Sequence, residues 1–411
     1  MNGNTKDQQS LGAIGGIMVR RWRTPIAPNR GVAMRQPAHA WLGSLLLGVL
    51  VTLALSAAAV ANAKDKIIQV DCDDGKTLTQ ALYKADPGET TRVAGTCHER
   101  VTMTTDRITL DGQGTAVLDG GGGGPSEFSG VVTIDGARGV TLTGLTIQNG
   151  HGEGILGRRG AAFTVQHSTV QHNAGTGIAV ESSRADLTEV TMQNNAIGLD
   201  VFTSSSVILR GAITATNNGS GIEVNGQSVL EIRGAHVQAS HNGGSGVTVG
   251  SGQLAIFGFS SSAGSTLTAD GNGFAGIFLG GSPLTAFAPC TITASNNVFG
   301  IFLGAAVISS PNGSSQFVIE NNVVGLRFGT GSGAVFLGGP LTVRNNGGTG
   351  LLADGAGTLP IVSDPPGASV IQNNGTDVDL RFGTRADFQG VAIGTIVCDA
   401  TVLSRGTTVC P

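Results

Sequence analysis

"EVTMQNNAIGLDV", residues 189 to 201, sets two asparagines between two short apolar and β-branched runs, and the phrase Asn-Asn-(x)-Gly-Ile/Leu returns along the chain. Aligned on the last Asn of each phrase, Asn149, Asn173, Asn195, Asn218, Asn242, Asn272, Asn297, Asn322, Asn346 and Asn374 stand 22 to 30 residues apart. A short turn follows each, then Gly and an alternating strand such as "GIAV", "GLDV", "GIEV" or "GIFL"; the last repeat has Asp377 in the Gly place. One repeat, "NGSGIEVNGQSVLEIRGAHVQASHN" at residues 218 to 242, contains three period-two runs, Ile222 to Val224, Val229 to Ile232 and Ala235 to Ala239. The separators "NGQ", "RG" and "SHN" are turn chemistry, and alternation of apolar with polar residues marks a strand with one buried face. Three strands and three turns per repeat, none able to bury its apolar face alone, predict a stacked solenoid. The asparagines then form an amide column that satisfies turn backbone groups from coil to coil.

The L-x-x-L-x-L frame of leucine-rich repeats is missing, as is a strict six-residue count. From about Asp71 to the C-terminus the chain resembles the right-handed parallel β-helix family, the pectate-lyase-like superfold. The segment "GKTLTQALYKADPGETTRVAGTCHERVTMTTDRITLDGQG" is similar to that family's capping helix, at Leu78 to Ala85, followed by the first coils. The resemblance implies an all-β, right-handed parallel β-helix solenoid of ten or more coils with an N-terminal capping helix. The expected organisation is an address segment at 1–63, a cap and first strands at 64–100, the β-helix at 101–395 and a C-terminal cap at 396–411. The superfold hosts lyases, hydrolases, epimerases, adhesins and non-enzymatic surface proteins, so fold alone does not decide function.

The address reading rests on "WLGSLLLGVLVTLALSAAAV", Trp41 to Val60, followed by the small-x-small site Ala61-Asn62-Ala63. A retained membrane anchor is the alternative, and Met34 is a second candidate start. Removing this segment leaves a secreted or periplasmic chain with no stable membrane span. The first 63 residues carry six of the 24 Lys/Arg and one of the 28 Asp/Glu, which leaves the remainder at −9. Nucleic acid is therefore an unsuitable partner. All five cysteines follow residue 63, which suits an oxidising compartment. Cys72 with Cys97, and Cys398 with Cys410, are expected to form two local bridges that staple the ends, leaving Cys290 as a buried thiol.

Strands in a parallel stack lie about 4.8 Å apart, so residues of equal phase form outward columns. One column reads Leu156, Ala179, Asp200, Glu223, Thr248, Phe278, Phe302, Arg327, Leu352, Asp379; the next begins Arg158, Glu181, Phe202, Asn225. Glu181, Asp200 and Glu223 are candidate ligands of Ca²⁺, a hard cation that takes carboxylate oxygen. Asp200 and Glu223 are also a candidate acid/base pair, with Arg158 as base in a lyase reading. Phe278, Phe302 and Phe202 are candidate substrate-binding residues. "NGHGEG", residues 149 to 154, contains a Gly-His-Gly that resembles one motif of the polygalacturonase branch, but that branch's Asn-Thr-Asp and Arg-Ile-Lys do not follow residue 63 and the only Asp-Asp is Asp73-Asp74 in the cap. Two classes stay open: a scaffold that binds polysaccharide or a cell-envelope component without turnover, and a Ca²⁺-dependent lyase, epimerase or hydrolase acting on an acidic polysaccharide. Folding requires no cofactor in either.

Overall fold

The computed structural model describes residues 66–410 except 123–128, 259–263, 288, 312–314, 338, 356, 364–365 and 407–409. The expected address segment and its cleavage site lie outside the described residues. The chain folds as a right-handed parallel β-helix. Each of thirteen coils gives one short strand to a 13-stranded sheet that runs from Val101–Met103 to Ile396–Cys398, and the rest of its strands to a 22-stranded sheet. Ile178, Leu199, Ile222, Val247, Ile277, Ile301, Leu326, Leu351 and Val378 stack as one fully buried inward column.

Two of the three runs expected per coil merge into one strand in the middle of the solenoid. Val229–Ser240 is continuous and bends at Gly234, with φ 61°; Arg184–Gln193 bends at Glu189, with φ 54°. A single left-handed residue redirects the chain without interrupting the ladder for more than one rung.

Asparagine and glycine are selected together. Asn218 Oδ1 accepts from the Asn195 backbone N–H at 2.9 Å and from Asn195 Nδ2 at 3.2 Å, while Asn218 Nδ2 donates to the Met192 carbonyl and to Asn242 Oδ1. The same pattern runs from Asn173 through Asn374. Each amide lies over the glycine of the coil before it. A Cβ at Gly198 would stand 3.0 Å from Asn218 Nδ2 and 2.5 Å from the Gly221 carbonyl oxygen, so only Gly fits.

Asn149 is not a rung of this ladder. It takes φ 58°, is exposed and donates to Asp119 Oδ2, in the outer turn column that continues with His172, Asn194 and Asn217. Gly150 holds the inner place and donates its N–H to Asn173 Oδ1, so aligning on the last Asn displaces this repeat by one residue. At the other end Asp377 terminates the ladder. Its Oδ1 accepts from Asn374 N and Nδ2, both at 2.9 Å, and its Oδ2 from Thr395 N at 2.7 Å. No further asparagine arrives above this coil, so the glycine place is free for a side chain that completes the last amide.

A second ladder at another corner is built of serine. Ser183 Oγ accepts from Ala161 N, Ser205 Oγ from Ser183 N, and Ser228 Oγ from Ser205 N, at 3.0 to 3.1 Å, all buried. The ends are closed separately. The helix Leu78–Lys84 buries Leu78 and Leu82, and Glu99 accepts from the Leu78 and Thr79 backbone N–H groups at its start. Disulfides join Cys72 to Cys97 and Cys398 to Cys410. Cys290 is free and buried beside Ser315, and burial raises its thiol pKa.

Candidate functional site

The outward column of the 13-stranded sheet is in register from Leu156 to Asp379. Asp200 faces Glu223 on the next rung and Ala179 on the previous one. The small Ala179 side chain on the rung before it leaves Asp200 room to sink against the sheet. A groove of about 490 Å³ opens beside this position, lined by Glu153, Leu156, Arg158, Arg159, Glu181, Ser182 and Phe202 and not by Asp200 itself.

Burial pushes the Asp200 carboxyl up to about 6, with Glu223 and then Glu153 adding like-charge repulsion. Burial also raises Glu153, assisted by Glu181 and opposed by the backbone N–H of Glu153 itself. Asp200 Oδ1 and Glu153 Oε2 are both buried without a hydrogen-bond partner among the described atoms. Glu153 belongs to the "GHGEG" turn, where no strand phase exists to place it in a column.

The other candidates divide. Glu181 pairs in register with Phe202, one column away from Asp200. The oxygens of Glu181, Asp200 and Glu223 do not converge: among the described residues the only His/Cys/Asp/Glu trio within 4.8 Å is Cys72, Cys97 and Glu99, two of which are disulfide-bonded. This donor set does not fit a single Ca²⁺ held by all three carboxylates. Arg158 Nη2 lies 3.1 Å from Asp135 Oδ2, which Arg159 shares at 3.0 Å. This ion pair engages the guanidinium that the base role considered for Arg158 would need free.

Phe278 and Phe302 pack at a tilt of 53° with ring centroids 5.2 Å apart, joined by Phe274 and Phe299 at 5.1 to 6.2 Å. Arg327 sits 4.7 Å above the Phe302 ring and is fixed by Asp354 at 2.7 Å. Gly250, Gly280 and Gly304 occupy the neighbouring column, so the rings lie on a floor without side chains. Phe274 and Phe299 were not singled out from sequence because Phe274 sits in the turn before its strand and Phe299 is the first residue of its own, outside the column of Phe278 and Phe302. Phe202 lies apart, in the acidic groove.

His172 and His241 adopt the left-handed conformation of the outer asparagine column, with φ 54° and 56°. His167 meets Glu189 at 2.9 Å, and His236 meets Thr266 at 3.1 Å. His151 is exposed. Among the described residues no helix is long and apolar enough to cross a membrane.

Residues 129–299 match the family described as "Right handed beta helix region", a match that covers less than half of the chain. No curated protein matches at the sequence level. Among solved structures, the chain is similar to the A-module of a mannuronan C-5 epimerase from Azotobacter vinelandii, at 14% identity and TM-score 0.42, covering 80% of this chain and 93% of that one. It is also similar to an alginate lyase from Paenibacillus, at 14% identity and TM-score 0.22 over 82% and 99% of the two chains. A surface adhesin of Streptococcus pneumoniae follows at 10% identity and TM-score 0.25, over 80% and 86%.

Proposed function

We propose that this chain is an exported β-helix protein that binds an extended polysaccharide, in solution or in the cell envelope, along the outer face of the 13-stranded sheet, without turnover. The carrying observation is the four-ring phenylalanine cluster with Arg327, of which Phe278, Phe302 and Arg327 stand in the same column as Asp200 and Glu223. Aromatic faces stack on the C–H faces of sugar rings, and flanking carboxylates and hydroxyls accept from sugar hydroxyls. From Asp200 to Arg327 the column spans five rungs, roughly 24 Å, enough for several sugar units in line. Two disulfides support an oxidising compartment.

One observation favours the enzymatic reading. Asp200, with its carboxyl near 6 and Glu153 beside it, has the protonation behaviour of a general acid. Titrating the purified protein with neutral and acidic polysaccharides, wild type beside Phe278→Ala/Phe302→Ala, tests the binding reading. Binding that survives loss of both rings refutes the platform. Release of unsaturated or reducing ends that Asp200→Asn abolishes replaces the scaffold with an enzyme, and an EDTA arm reports any Ca²⁺ requirement.

A further inference from the structure

Seven arginines among the described residues face a carboxylate: Arg92 with Asp111, Arg158 and Arg159 with Asp135, Arg233 with Glu231, Arg327 with Asp354, Arg344 with Glu320, and Arg381 with Asp379. Arg138 and Arg184 do not; both are exposed, and among the described residues neither guanidinium has a carboxylate partner. They lie in one column of the 22-stranded sheet, on either side of Ala162, which pairs in register with both. Their Cα atoms are therefore two rungs apart, roughly 10 Å. The Ala162 methyl group makes the strip between them a recess of about 390 Å³, whose rim carries Ser182, Ser204 and Ser206. Gly160, at φ 79°, keeps the rim low, because nothing lies within 4 Å of where its Cβ would stand.

We propose that this recess is an anion-binding subsite for the charged groups, carboxylate or sulfate, of an acidic polysaccharide. A guanidinium binds either oxyanion through two parallel N–H donors, and the serine hydroxyls bond the sugar between the charges. Two cations roughly 10 Å apart suit a chain with widely spaced charges; a nucleic acid carries one charge per roughly 1.7 Å along its duplex axis. The nearby acids leave the site positive. Asp106, one rung below, directs Oδ1 to the Arg138 backbone N–H, Asp186 lies two residues beyond Arg184, and the unpaired Arg107 adds a third cation beside Gly139. The turn carrying Ser182 separates this recess from the acidic groove, since Ser182 lines both.

The assignment to a glycan rests on the polysaccharide reading above; the preference for negative charge rests on the recess alone. Calorimetric titration with polygalacturonate, dextran sulfate and neutral dextran at two salt concentrations tests it, using wild type, Arg138→Gln, Arg184→Gln and Ala162→Glu. Each arginine variant is expected to weaken binding of the acidic polymers about tenfold, with a shallower salt dependence. Ala162→Glu is expected to abolish that binding, and neutral dextran to be unaffected throughout. Acidic polymers that fail to bind, or bind the arginine variants unchanged, overturn the proposal and leave the phenylalanine platform untouched. Binding that needs the arginines but not Phe278 or Phe302 upholds the recess while the platform reading falls. Equal arginine-dependent binding of duplex DNA or phosphatidylserine vesicles overturns the glycan assignment.

Discussion

Asn217 and Asn218 are neighbours of identical chemistry with opposite expected behaviour. Asn218→Ala removes the acceptor of the Asn195 backbone N–H and of Asn195 Nδ2, and the donor to the Met192 carbonyl and Asn242 Oδ1. Asn195 Nδ2 retains the Val170 carbonyl, so the serious loss is one buried backbone N–H with nothing to replace it. An orphaned buried group costs about 1–3 kcal/mol, and the weakened secondary bonds bring the expected total to about 3 kcal/mol. Asn217 is exposed, makes no side-chain hydrogen bond among the described residues and holds φ 55°. Asn217→Gly removes a left-handed strain while loosening the unfolded chain, two effects that offset each other to within about 0.5 kcal/mol. Urea unfolding measures both differences. Because a repeat array need not unfold in one step, amide exchange at Asn195 and Gly198 localises the loss to the coil before the substitution. If Asn218→Ala unfolds within 0.5 kcal/mol of wild type, or Asn217→Gly costs more than Asn218→Ala, the ladder does not hold the register as argued.

Asp377→Asn is expected to weaken the C-terminal coils at neutral pH. Burial raises the Asp377 carboxyl, but hydrogen bonds from Thr395 and Asn374 outweigh it and hold the pKa below the ordinary value. The contribution is complete above the unfolded aspartate pKa and disappears as pH falls through the lower folded one, so wild type and variant should converge in acid when melting is followed by circular dichroism. Asp200 has the opposite sign. With its folded pKa raised to about 6, its ionisation opposes folding above the unfolded value, so Asp200→Asn should raise the melting temperature at pH 8 and leave it unchanged at pH 3. An equal shift at both pH values would rule out that account. Glu99→Gln should accelerate amide exchange at Leu78 and Thr79 by about tenfold, reflecting loss of charge at the start of the cap helix.

The coil count, the strand positions and most of the ladder were legible because each depends on periodicity, and periodicity survives in sequence. Asn149 was misplaced because its exposed left-handed position and the buried rung both accept asparagine; only the register, with Gly150 inside, distinguishes them. The serine ladder was not legible. Serine is common in every turn, and nothing local separates Ser183, which accepts from the preceding coil, from its exposed neighbour Ser182. Column assignment brought Asp200 beside Glu223 but could not measure convergence, so it grouped Glu181 with them across a column boundary.

The residues of the candidate site are those that the repeat leaves unconstrained. Inward positions are fixed by packing, ladder positions by hydrogen bonds and glycine positions by the amide above, so each changes little from coil to coil. The outward column is under none of these constraints, and it varies from Leu156 through Asp200 and Phe302 to Asp379. Costs are visible in that column and the turns beside it: unpaired buried oxygens at Asp200 and at Glu153 in the adjoining turn, and partly exposed rings at Phe278 and at Phe274 in the turn before its strand. Packing alone gives no reason to leave a carboxylate oxygen buried and unbonded when a serine or asparagine would fit the same rung. Asp186 Oδ1 on the 22-stranded sheet is likewise buried and unbonded, so the unpaired oxygens alone do not choose the face; their coincidence with the phenylalanine cluster along one column is the physical ground for placing the ligand there.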